Sequence, residues 1–129
     1  VLSGSSRRHQ RRRDIARLTL GAIRFVNGSA GLIAPAAVAK RLGVEPPASN
    51  PALYPWRLFG VRTAILGAQL WFAPEDELRR ALKQAIWIHA SDTAAALMAA
   101  ARDELPRNKA LTTAALSATN TALSVLAQR

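Results

Sequence analysis

Four stretches, residues 25–39, 63–74, 93–101 and 110–128, carry no charge on any helical face. Apolar side chains recur at helical spacing through Ile15, Leu18, Ala22, Phe25 and Val26, and this predicts a first helix over 14–42. Asp14 is placed as its N-cap, Pro35 should kink it or end its first part, and Gly43 should cap the second part. Residues 43–55, with Glu45, Pro46, Pro47, Asn50, Pro51 and Pro55, read as a loop. A second helix over 56–73 stops at Pro74. A third begins at Glu75, Asp76 and Glu77, whose charges suit a helix N-terminus, and runs to about Arg102. A turn around Pro106 leads into a fourth helix over 108–128.

Alanine and leucine dominate and β-branched and aromatic residues are sparse, so the fold class is all-α, a four-helix bundle. A soluble helix needs a broad polar face, and the uncharged stretches have none. Their polar residues are mostly Ser, Thr, Gly and Asn, which let membrane helices approach and bond one another. Ala110, Ala114, Ala118 and Ala122 form a small-residue ridge. The fourth helix alone reads as apolar and long enough to span a bilayer. The pattern favours a transmembrane bundle over a soluble one.

Charge sets the orientation. The net charge is +10, with five arginines, Arg7, Arg8, Arg11, Arg12 and Arg13, in a basic arm over 1–13 that precedes the 14–129 membrane domain. Arg79, Arg80 and Lys83 follow the second helix, so the positive-inside rule places the N-terminus in the cytoplasm, and four spans return the C-terminus there. The arm reads as a solvated, disordered segment that binds anionic inner-leaflet lipid or an acidic partner. Nucleic acid ranks last, because no recognition helix or set of stacking aromatics accompanies it. The arm is not followed by a short apolar core and small-residue cleavage site, so no signal peptide is expected.

Three charges fall inside apolar stretches, where an unpaired charge is costly: Arg24, Arg62 and Asp92. If the second and third helices are antiparallel, Arg62 and Asp92 lie at similar depth, and they are read as an interhelical ion pair. His89 joins them from the same face as Asp92, making an intramembrane polar cluster of Arg62, His89 and Asp92. Arg24 and Arg57 are left facing lipid or a partner, with pairing to Asp92 from another helix as the alternative for Arg24. No metal is expected, since His9 lies in the arm and His89 has no second ligand at metal spacing. No nucleophile–base set or phosphate loop is present, so neither catalysis nor a cofactor is expected.

The first two helices echo each other: 28–35 aligns without gaps to 67–74, and Gly21 precedes one segment as Gly60 precedes the other. Duplicated helix units occur in membrane folds. The run Arg57, Leu58, Phe59, Gly60, Val61, Arg62, then Gly67 and the run His89, Ala90, Ser91, Asp92, resembles a pattern in small four-helix membrane proteins of high-GC Gram-positive bacteria, mostly of unknown function. The resemblance spans roughly 15–127 and implies fold and inner-membrane location, not a reaction. In those proteins an acidic residue often follows the second arginine and another precedes the later aspartate by three. Here Thr63 and His89 stand there. The expectation is a non-catalytic multi-pass inner-membrane protein, an accessory subunit of a larger complex such as a lipid or solute transporter, with membrane lipids and other membrane subunits as partners. The alternatives are a stand-alone transporter or lipid-binding protein using the polar cluster, and a soluble basic bundle that binds nucleic acid.

Overall fold

The computed structural model describes residues 4–45 and 53–129. They form five helices and no strand: α1 Gly4–Ile33, α2 Pro35–Arg41, α3 Leu53–Phe72, α4 Glu75–Ala101 and α5 Arg107–Leu126. Much of the 43–55 loop lies outside the described residues. Its end does not, and α3 starts at Leu53 with Pro55 in its first turn, where a missing N–H costs nothing.

Two expectations about α1 need correction. The arm is helical from Gly4 on, because extending an existing helix adds one backbone bond per residue fixed, and Arg and Gln are good helix formers. Asp14 is therefore interior rather than an N-cap. Pro35 acts as expected: α1 ends at Ile33, and α2 leaves at 113° to it. Gly43, at φ 80°, then closes α2, with Val44 N–H donating to Ala39 and Gly43 N–H to Lys40.

The bundle consists of two tight antiparallel pairs, α1 with α3 and α4 with α5, that touch each other less. Glycines let the first pair approach backbone to backbone. A Cβ on Gly28 would lie 2.6 Å from the Gly60 carbonyl oxygen, and one on Gly60 would lie 2.6 Å from that of Gly28. The second crossing is similar: 2.8 Å from a Gly67 Cβ to the Gly21 carbonyl and 3.1 Å from a Gly21 Cβ to that of Gly67. The sequence echo pairs Gly21 with Gly60 and Gly28 with Gly67. The two contacts thus exchange under a pseudo-two-fold axis across the pair, the relation of an inverted repeat.

Side chain to carbonyl bonds lace this pair. Arg17 Nη1 donates to Leu70 at 2.9 Å, Trp71 Nε1 to Leu18 at 3.2 Å and Arg57 Nη1 to Leu32 at 2.6 Å. The Leu32 bond places a cation at the end of α1, where the helix dipole is negative.

The apolar core sits at one end, where Leu20, Leu70, Leu78, Leu82 and Ala85 are buried together. At that end Arg129 joins Asp14 and Glu75, which brings the C-terminus beside the base of the arm.

Taken singly, no helix among the described residues is long and apolar enough to cross a membrane, and only the bent pair α1 and α2 passes such a test together. This corrects the reading of the fourth helix as a self-sufficient span. Thr112, Thr113, Ser117, Thr119, Asn120, Thr121 and Ser124 dilute its hydropathy.

Candidate functional site

Arg24 and His89 meet where the two helix pairs face each other. Arg24 lies three residues after Gly21 and four before Gly28, on the stripe that α1 turns inward. His89 lies on the inner face of α4 with Ala85 and Ala96. Their relative exposures are 3% and 6%, so a guanidinium and an imidazole occupy the interior of the bundle. Arg24 Nε donates to His89 Nε2 at 2.9 Å. Guanidinium has no acceptor, so Nε2 must be the unprotonated nitrogen and the imidazole carries its hydrogen on Nδ1. That nitrogen points toward Asp92, whose Oδ2 is 3.8 Å away, beyond hydrogen-bonding range. The order Arg24, His89, Asp92 runs from a buried cation through a neutral ring to a half-exposed carboxylate.

The cluster is incompletely satisfied. Arg24 Nη2 and His89 Nδ1 have no hydrogen-bond partner among the described residues, and neither does Asn120 Oδ1, buried on α5. Seven hydroxyls on α4 and α5 are satisfied locally. Thr112, Thr113, Thr119, Thr121 and Ser124 on α5 each donate to the carbonyl four residues back, as Ser91 and Thr93 do on α4. These groups need neither water nor a neighbouring helix.

The predicted cluster of Arg62, His89 and Asp92 is thus corrected in one member. Arg24 takes the interior place, and Arg62 is exposed on α3 with no ion pair or hydrogen bond among the described residues. The helical phase explains it: Arg62 is two residues past Gly60, so it projects roughly opposite the glycine stripe that meets α1. For the same reason Arg24 does not face outward, contrary to expectation. Arg57 is exposed as expected, but it is tied to the end of α1. The arm residues Arg7, Arg8, Arg11, Arg12 and Arg13 are exposed on one helix. Asn120 was not anticipated; its signal was a lone amide inside an uncharged run.

Among the described residues no group of three or more His, Asp or Glu converges as metal ligands would. No protein-family model, curated protein or solved structure matches this chain.

Proposed function

We propose that this chain is a multi-pass inner-membrane bundle that acts as a non-catalytic accessory subunit of a larger membrane assembly. What carries the reading is the apolar outer surface of the long helices. Large apolar side chains point outward on every long helix: Ile33 is 77% exposed, Phe72 81% and Trp87 76%, with Val26, Ile65 and Leu126 each above half. Beside the apolar core, Arg24, His89, Ser117, Asn120 and Ser124 lie inside with the glycines of the α1–α3 contact. In water that arrangement would expose extended apolar surface. In a bilayer lipid covers the apolar surface and the buried polar groups are held away from it.

The weak hydropathy of α5 fits this reading, because Ser117, Asn120 and Ser124 face inward and the exposed Thr112 and Thr119 donate to their own helix. The 20 residues of α3 and of α5 each span about 30 Å, the thickness of a bilayer core. The basic arm, Arg79, Arg80, Lys83 and Arg129 share one end, which the positive-inside rule assigns to the cytoplasm. The resemblance to small four-helix membrane proteins adds weight to the same topology.

The arm then stands off the membrane as a cationic helical rod, about 15 Å for its ten residues 4–13. A Debye length of about 8–10 Å covers the half of the arm next to the headgroups, so its base suits anionic lipid and its outer half an acidic face of a cytoplasmic or membrane partner.

Two measurements check the proposal. The chain should stay with membranes after carbonate washing, and release into the soluble fraction would end the membrane reading. Native mass spectrometry from mild detergent should show a different protein in fixed ratio, whereas a chain that always flies without one would remove the subunit role.

A further inference from the structure

Arg62 lies midway along α3 and is exposed, with no ion pair or hydrogen bond among the described residues. We propose that the face of α3 turned away from α1 docks a transmembrane helix of a different protein, and that a carboxylate at mid-bilayer on that helix pairs with Arg62. The inference rests on the membrane-subunit reading above and names the chemistry of the partner. Gly60 and Gly67 hold α3 against α1, its main neighbour. Leu58, Arg62, Ile65 and Gln69 fall on the opposite side at helical spacing, flanked by Phe59 and Phe72. Phe59 is 55% exposed, Ile65 62% and Phe72 81%, so the bundle leaves this apolar face open around its one cation.

Depth and sign identify what covers the face. Arg62 is the tenth of the 20 residues of α3, about 14 Å from either end. Headgroup phosphates are out of reach from there even for an extended arginine, and a lone guanidinium in hydrocarbon is costly. A second copy does not supply the counter-charge. Copies of one chain insert with the same topology, so symmetry relating them turns about the membrane normal and preserves depth. Through this face it would set Arg62 against Arg62. The chain's carboxylates other than Asp92 lie at helix ends or between helices, Asp14 included, since it meets Arg129 at the base of the arm. Asp92 lies on the inward stripe of α4 beside His89, within electrostatic reach of the buried Arg24. The counter-charge therefore comes from another protein, as an aspartate or glutamate in the middle of an otherwise apolar span that packs on Phe59, Ile65 and Phe72.

The sequence contains no cysteine, so one introduced at Gly4 in the arm carries a fluorescent donor. The probe is a synthetic leucine–alanine transmembrane helix of about 20 residues with lysine at both ends, an acceptor dye and one central aspartate. Energy transfer between the two is measured in phosphatidylethanolamine–phosphatidylglycerol vesicles. The aspartate helix should bind the chain about 10-fold more tightly than the same helix with leucine at its centre. Moving the aspartate about two turns toward one end should lose that preference, because the charges no longer share a depth. Arg62→Leu should also abolish it, and Arg62→Asp should transfer it to a helix with a central arginine. Equal binding of the aspartate and leucine helices would overturn the proposal, as would a preference that survives Arg62→Leu. Two copies of the chain that bind each other as tightly as the aspartate helix binds would assign the face to a second copy and overturn it too. Flotation with the vesicles separates the two readings. A chain that floats but shows no aspartate preference overturns this docking and leaves the membrane reading standing, whereas a chain that does not float overturns both.

Discussion

Replacing His89 with leucine should destabilise the bundle more than replacing Arg24, although the two share one hydrogen bond. The asymmetry follows from what each change leaves behind. His89→Leu leaves the Arg24 guanidinium buried with neither of its inward nitrogens bonded, and an orphaned buried charge costs about 3–5 kcal/mol. Arg24→Met removes the charge itself and leaves a neutral imidazole. The loss is then a charge-assisted hydrogen bond, about 1.5–3 kcal/mol, offset by the desolvation no longer required. The double variant Arg24→Met/His89→Leu should consequently be more stable than His89→Leu alone. Titration of the helical fold with sodium dodecyl sulfate from mild-detergent micelles measures all three. Equal losses for the two single variants, with additive loss in the double, would show that the contact is not the buried charge-assisted hydrogen bond described.

The second large effect is steric. Gly28→Ala should separate α1 from α3, because the added Cβ would meet backbone: the Gly60 carbonyl oxygen lies only 2.6 Å from its position. A flexible side chain could turn aside, but a helix backbone cannot move without shifting every contact along the pair. Overpacking of this kind costs about 1–3 kcal/mol, and Gly28→Leu should abolish the paired state. The pseudo-symmetry makes the prediction double, since Gly60→Ala meets the Gly28 carbonyl at the same 2.6 Å and should behave alike. Gly4→Ala meets nothing within 4 Å and should be neutral, within about 0.5 kcal/mol. Thermal melts followed by circular dichroism in detergent distinguish these outcomes.

The long helices were legible in the sequence because their boundaries are local chemistry. Pro35 and Pro74 break the backbone pattern, Gly43 supplies a left-handed cap and Glu75, Asp76 and Glu77 mark a start, and each does so where the structure has a boundary. The partners of the charges were less legible. Equal depth is readable from residue counting, so Arg62 and Asp92 looked like a pair within the chain. Which way a helix turns is set by its packing, and the glycines held that information. Arg24 lies on the stripe of Gly21 and Gly28, while Arg62 lies off the stripe of Gly60 and Gly67. Read as helix contacts rather than as flexible points, those glycines would have put Arg24 inside and Arg62 out. The arm was misread for a different reason. Its charge argued for disorder, but it continues a helix already nucleated below it.

Polar side chains also account for the low hydropathy of α5, no described helix being apolar enough on its own to cross a membrane. Seven hydroxyl or amide side chains within residues 110–126 of α5, Thr112, Thr113, Ser117, Thr119, Asn120, Thr121 and Ser124, lower its average hydropathy. Most of them bond to their own helix, so the average overstates how polar that helix is toward its surroundings.

The most direct test is to ask what touches the outward apolar face. Single cysteines at Val26, Ile65, Leu97 and Leu116, one on each long helix and each exposed or half-exposed, would carry nitroxide labels in vesicles. Oxygen, which concentrates in lipid, should relax all four labels strongly while a water-soluble nickel chelate should not. Labels relaxed by the nickel chelate and not by oxygen would place that face in water and contradict the central claim.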